Sequence, residues 1–289
     1  MRKLTREELG NLYTAPSRIS ALLDELGWGM QKRFGQNFLL DAEVRMRILR
    51  EVRFPESREG WSWEIGPGLG SLTYPAGTLW NQLAVFEIDH GFAEFIRIQY
   101  DGIQVFEGDF LKTWRRALDA SGKPVRVFGN LPYNAASAII AALLENAVHP
   151  DVMVFTVQRE AAERMCASPG SKNYSAFSVL CSSLYRCGIA FDLGAGNFWP
   201  QPRVKSSVVV MRKLDTPCAH GGSQEFTRFT RDCFMSRRKM LRNNLKQAGY
   251  EQERVSEACS RSGIALDTRA EDLAATDFGR LFEALFPPA

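Results

Sequence analysis

The sequence predicts an α/β fold on a parallel sheet, followed by a small all-α domain at the C-terminal end. Three observations carry this. Short apolar runs alternate with helical stretches from residue 61 onward, a glycine-rich turn follows directly on the first run, and beyond residue 215 only helical periodicity remains. With 289 residues, 45% of them hydrophobic, the chain can fill one large core and a smaller one.

Residues 1–30 read as an extension that holds a helix at 17–26. A second helix at 42–52 has Asp41 at the position where a carboxylate accepts free N–H groups. Residues 31–39 between them are punctuated by Gly35, Gln31 and Gln36, which predicts a loop laid over another element. Strands are expected at 61–65, 83–88, 103–106, 125–128 and 152–157, with helices at 92–100, 136–145 and 160–167. Two late strands follow at 188–193 and 207–212. The α/β domain then spans 31–215, and after a turn-rich connection a helical domain spans 222–289.

The start is polar and no later stretch is long and apolar enough to cross a bilayer, so a cytoplasmic protein with no membrane contact is expected. Six cysteines stand without a C-x-x-C pair, and there are three histidines. That spacing excludes a zinc site or a disulfide framework and predicts buried, reduced thiols and no metal. The net charge is only +3, yet residues 226–246 hold seven basic side chains against Asp232 alone, which points to local contact with a polyanion.

The first strand runs into Glu64-Ile-Gly66-Pro-Gly68-Leu-Gly70. Glycines there let the chain turn sharply and bring backbone close to a ligand, although such turns are common after strands. The second strand ends in Glu87-Ile-Asp89, with Glu87 placed 21 residues after Gly66, where a nucleoside-binding fold needs an acceptor for ribose hydroxyls. The third ends in Gly108-Asp109. Parallel strands carry Gly66, Gly68, Glu87 and Asp109 to one rim; otherwise the acids are solvated strand-end caps. A pyrophosphate would be repelled by these carboxylates, whereas a cationic sulfonium nucleoside is not, so S-adenosylmethionine fits better than a dinucleotide.

The fourth strand ends in Gly129-Asn130-Leu131-Pro132-Tyr133-Asn134. An exocyclic adenine amine is a poor nucleophile because its lone pair is delocalised into the ring. The Asn130 side-chain oxygen and the backbone carbonyl of Leu131 or Pro132 can accept its two hydrogens and favour a pyramidal nitrogen, while the Tyr133 ring stacks on the base.

At this point the sequence resembles the small-subunit, 16S-type ribosomal RNA adenine dimethyltransferase family, from about Lys32 to Leu245. The residues that carry the resemblance are KRFGQNFL at 32–39, EIGPGLG at 64–70, EID at 87–89, GD at 108–109 and GNLPYN at 129–134. Further on stand QREAAERM at 158–165, PGSKNYS at 169–175, FWPQPRVKS at 198–206 and RRKMLRNNL at 237–245. The resemblance implies a Rossmann-like class I S-adenosylmethionine-dependent methyltransferase with a seven-stranded, mostly parallel sheet. It implies that Asn37, Leu39, Gly66, Glu87, Asp109 and Asn130 touch the cofactor, that catalysis falls on Asn130 to Tyr133, and that Phe198 closes over the target base. The implied substrate is two adjacent adenosines in a loop near the 3′ end of 16S rRNA, in the small ribosomal subunit or its precursor, with the protein acting as a monomer. Three positions depart from the pattern: Pro75 enters the helix after the glycine turn, Ser175 stands where glycine is usual, and Lys205 where an acid is usual.

On the RNA side, Phe198-Trp199-Pro-Gln-Pro offers aromatic surface in a stiff loop. Phe234, Leu241 and Leu245 share one face of a continuous helix, with Arg231, Arg238, Arg242 and Lys246 along its flank. Together with Arg237 and Lys239 these cations are expected to meet phosphates. The competing readings are a 23S rRNA adenine methyltransferase, a non-catalytic ribosome-assembly factor on the same fold, and a DNA adenine methyltransferase.

Overall fold

Apolar runs flanked by turn residues become strands because each buries both faces between helices. In the computed structural model, which describes residues 1–29, 36–53 and 59–287, these are β2 (Ser62–Ile65), β3 (Leu83–Glu87), β4 (Gln104–Glu107), β5 (Arg126–Asn130) and β6 (Val152–Gln158). The late strands are β7 (Tyr185–Leu193) and β9 (Ser206–Lys213), and the seven run in the order β4-β3-β2-β5-β6-β9-β7. Pairing is parallel from β4 through β6, with Ile65 opposite Phe86 and Glu64 opposite Phe128, so the carboxyl ends of β2, β3 and β5 come level.

The expected helices are α2 (Pro16–Glu25), α3 (Ala42–Val52), α5 (His90–Gln99), α7 (Ala136–Glu145) and α8 (Arg159–Met165). Asp41 caps α3 by accepting from the Val44 N–H at 3.0 Å. The helix expected after the glycine turn is α4 (Thr73–Leu79), and three further helices appear beyond that expectation: α1 (Arg6–Asn11), α6 (Phe110–Ser121) and α9 (Ala176–Leu184). In α6 the buried Phe110, Thr113, Trp114 and Ala117 recur at helical spacing behind an Asp109 cap. The loop expected at 31–39 is in part a strand: β1 (Phe38–Leu39) pairs antiparallel with β8 (Phe198–Trp199), while 31–35 lies outside the described residues, as does the boundary drawn at residue 30.

The departures from the family pattern are absorbed locally. Pro75 falls in the first turn of α4, where a missing N–H is tolerated, and the flanking Tyr74 and Ala76 N–H groups still donate to the Gly70 and Leu72 carbonyls at 2.9 Å each. Ser175 is extended at φ −157°, which needs no glycine, and its N–H donates to Ser178 Oγ at 3.1 Å. Lys205 is exposed.

The chain forms two units. The first comprises Met1–Ile139, His149–Arg159 and Ile189–Met211, and its core includes Leu39, Ile48, Leu49, Val85, Phe95 and Phe128. Each such side chain removed from water contributes about 1.5–3 kcal/mol. The extension belongs to this core through Leu9, Tyr13, Ile19 and Leu23, and Gln99 clamps it by donating to the Arg2 carbonyl at 2.9 Å and accepting from the Leu4 N–H at 2.7 Å.

The second unit comprises Ile140–Val148, Glu160–Gly188 and Arg212–Ala289, so it takes in chain well before the boundary drawn at 215–222. Its helices are α10 (Gln224–Cys233), α11 (Leu241–Gln247), α12 (Gln252–Ser262) and α13 (Ala275–Leu285) around Phe226, Phe229, Leu245, Val255 and Phe278. The continuous helix expected through 226–246 is broken between α10 and α11. Buried Asn244 holds the break: its amide nitrogen donates to the Cys233 and Ser236 carbonyls and its oxygen accepts from the Ser236 N–H. All six cysteines are free; Cys181, Cys233 and Cys259 are buried and the other three half-buried. Among the described residues no helix is long and apolar enough to cross a membrane.

Candidate active site

A cleft in the first unit opens at the carboxyl ends of β2, β3 and β5, and its lining includes Asn37, Gly66, Gly68, Glu87, Asn130 and Pro132 among the residues the sequence singles out. Gly66 and Gly68 take φ of 72° and 58°, values that side chains other than glycine rarely adopt. Behind them Gly129 passes so close to the Ile65 carbonyl that a Cβ would collide with backbone.

Glu87 is 4% exposed. Its Oε2 accepts from the Gly68 N–H at 2.9 Å and its Oε1 from the Asp89 N–H at 2.9 Å, which fixes the carboxylate against the glycine turn. Burial pushes its pKa up to about 7, and the two backbone donors pull it part of the way back. Glu64, 1% exposed, lies in the same lining; burial first and then the neighbouring Glu87 raise it to about 8 against the lowering bond from Thr73 Oγ1 at 2.6 Å. Among the described residues no lysine or arginine lines the cleft.

Asn130 donates its amide nitrogen to the Asn37 carbonyl at 2.7 Å. That bond turns the amide oxygen the other way, and this buried Oδ1 has no partner among the described residues. A buried acceptor left unpaired costs stability, so its retention marks a place for a ligand donor. The Pro132 carbonyl already accepts from the Ala135 and Ala136 N–H groups at 3.0 Å each, as α7 begins.

The remaining sequence-predicted residues are not in the cleft lining. Asp109 caps α6 through the Leu111 N–H at 3.0 Å. Leu39 and Leu131 are buried in the core, and Tyr133 Oη shares a 2.6 Å hydrogen bond with Ser206 Oγ. Phe198 is 1% exposed, opposite Leu39 in the β1–β8 ladder, so no face of its ring is open to a base in this conformation; the neighbouring Trp199 is half-buried. Of the six cations, Arg231 pairs with Glu145 at 2.6 Å, and Arg237 is bound to Glu271 and to the Ser171 and Lys172 carbonyls. Lys239 donates to Gln247 at 3.1 Å; Arg238, Arg242 and Lys246 are exposed.

Sequence reasoning gave no role to Glu64, Ile88 or Phe92, all of which line the cleft. Ile88 is 45% exposed between two buried acids, and an apolar side chain beside Glu87 in the EID motif was the available signal.

A sheet in this order, with its cleft where the strand order turns from β2 to β5, is the fold of class I S-adenosylmethionine-dependent methyltransferases. Solved structures agree: the 23S rRNA methyltransferase ErmE superposes with a TM-score of 0.63 at 24% identity over 86% of this chain and 99% of that one. A dimethyladenosine transferase from Plasmodium falciparum does so with 0.68 at 21% identity, over 83% and 94%. The sequence profile of the ribosomal RNA adenine dimethylases matches residues 29–286, and the chain belongs to that enzyme family. It is similar to the ribosomal RNA small subunit methyltransferase A of Treponema denticola, 42% identical over 92% of this chain and 93% of that protein. The protein of the same name from Chlorobium phaeobacteroides is 37% identical over 89% and 92%.

Proposed function

We propose that the chain transfers methyl groups from S-adenosylmethionine to the N6 amines of two adjacent adenosines near the 3′ end of 16S rRNA, in the small ribosomal subunit or its precursor. The observation that carries this is the buried Oδ1 of Asn130, unpaired among the described residues, in a cleft that among those residues is lined by two buried acids and no lysine or arginine.

The cleft fits the cofactor on its own chemistry. Glu87, fixed by two backbone N–H groups, has lone pairs left for ribose hydroxyls, and a positively charged ligand relieves the burial of both acids. Ile88 and Phe92 offer apolar surface for a nucleobase. When bound, S-adenosylmethionine supplies a methyl group on a cationic sulfur. Asn130 Oδ1 accepts one N6 hydrogen, and the Leu131 carbonyl is the second acceptor, since that of Pro132 is spent on α7. Both dipoles are held before substrate arrives, so they act where positive charge develops on nitrogen and cost no reorganisation. The extra proton leaves to water after the C–N bond forms. Tyr133, anchored through Ser206, holds the base, and Phe198 joins it after the β1–β8 ladder shifts.

Docking falls to Arg238, Arg242 and Lys246, with Arg231, Arg237 and Lys239 contributing where RNA displaces their present partners. The protein acts as a monomer in the cytoplasm, where ribosomal subunits assemble, and its reaction needs no metal. Incubation with labelled S-adenosylmethionine and immature small subunits, followed by primer extension, tests the reading. Label and stops at two neighbouring adenines near the 16S 3′ end are expected; label confined to 23S rRNA or DNA, or no label, overturns it.

A further inference from the structure

Four aromatic rings form a row through the first unit. Trp28 of the extension meets Phe92 edge to face at 6.1 Å, Phe92 meets Phe38 the same way at 5.7 Å, and Phe38 stacks on Trp199 at 6.2 Å with planes 20° apart. The two inner rings line the cleft and the two outer ones do not. Each outer ring is seated by backbone. Trp28 lies against Gly91 at the start of α5, where an added Cβ would stand 3.0 Å from its ring, and Trp199 is the ladder partner of Phe38.

Phe38 is the junction. A Cβ on Gly68 would come within 3.2 Å of its ring, so the ring packs on the glycine turn that holds Glu87. The residue before it, Asn37, supplies the carbonyl that orients Asn130. Displacement of Phe38 therefore reaches both the ribose end and the amine end of the cleft.

We infer that Trp28 and Trp199 are positioning residues for the cofactor: they clamp Phe92 and Phe38 from opposite ends of the row, and so let the extension and the FWPQP loop set cofactor affinity. The inference rests on the cleft being the S-adenosylmethionine site. Because coupling is reciprocal, RNA that restrains the Trp199 loop tightens cofactor binding, and cofactor tightens the hold of the loop on RNA. The extension thereby acquires a role that its sequence does not disclose.

The test needs no RNA. Sinefungin, a cationic analogue that transfers nothing, is titrated by calorimetry into the wild type, Trp28→Leu, Trp199→Leu, the double variant and Trp199→Phe. Each leucine variant is expected to bind about five- to tenfold more weakly, on the scale of one lost aromatic pair together with its packing. Trp199→Phe stays within about twofold, and the double variant loses less than the product of the singles, as residues acting through one row do. Folding is checked by circular dichroism, and Trp→Met variants replace any leucine variant that does not fold. Folded leucine or methionine variants that bind as the wild type does, or a phenylalanine variant no better than leucine, overturn the inference alone. A wild-type chain that binds no sinefungin overturns the methyl-donor reading and the inference with it.

Discussion

The cleft and the basic stretch 226–246 handle charge in opposite ways. In the cleft Glu64 and Glu87 sit away from water with no lysine or arginine in the lining among the described residues, and burial itself alters their protonation. In the basic stretch the charges stay in solvent, and local acids and carbonyls decide which are engaged: Arg231 and Arg237 have partners, whereas Arg238, Arg242 and Lys246 stand exposed. Buried dipoles and carboxylates act at full strength on one small ligand, while solvated cations act weakly, additively and in a salt-dependent way on a large one. Substitutions in the two regions should therefore differ in size and in kind.

The largest effect is expected at Asn130. Asn130→Ala should lower kcat by about 10²–10³-fold while cofactor affinity falls only a few-fold, because the lost acceptor acts mainly in the transition state. Normal turnover in a single-turnover assay would remove the proposed role. Next comes the pH dependence of cofactor binding. Ribose hydroxyls favour ionised Glu87, so affinity should rise as pH climbs from 6 through about 7 to 8, by roughly tenfold for each unit of pKa displaced. Titrations of sinefungin across that range should show the slope, and Glu87→Gln should bind more weakly and flatten it; a flat wild-type profile contradicts the assignment.

The basic stretch supplies the intermediate test. Joint replacement of Arg238, Arg242 and Lys246 by alanine should reduce the slope of log affinity for 16S rRNA against log salt by about two, at roughly 0.7 to 0.9 per phosphate contact. Filter binding at several salt concentrations measures this. Arg237→Ala should instead lower Tm, by an amount equivalent to about 1 kcal/mol after solvent screening, since it frees Glu271 and two carbonyls. An unchanged Tm with a large loss of RNA affinity would leave Arg237 with a docking role alone. The smallest effect concerns Glu64 and stability. A carboxyl raised from 4.5 to about 8 keeps its proton in the folded chain while the unfolded chain releases it, so its contribution falls as pH rises above 4.5 and levels off above 8. Glu64→Gln should therefore raise Tm at pH 8.5 relative to the wild type, by about 2–4 °C for each kcal/mol of relief.

The sheet was legible because parallel strands must be apolar on both faces, which makes them contiguous runs, and because Gly66, Glu87 and Asn130 each close such a run. What was missed has a common cause: a residue assigned to chemistry was not also read as structure. Asp109 reads as a ligand in the sequence, yet it caps a helix that has Trp114 and Ala117 on its inner face. The same happened in the basic stretch. The spacing of its cations predicts one helix, while Asn244, which holds the break by bonding Cys233 and Ser236 across eight to eleven residues, carries no local signature. Sorting the arginines was beyond the sequence for the same reason, because the acceptors of Arg237 lie 34 to 66 residues away.

The wedge of Gly129 against the Ile65 carbonyl constrains what this enzyme can be engineered to do. Backbone, not side chains, fixes the separation of the two strands at the point where Gly66 and Asn130 follow on from them. Synthetic donors with transferable groups larger than methyl gain no room from trimming residues along that wall. Any widening has to come from walls that side chains build, such as those of Leu72, Ile88 and Phe92.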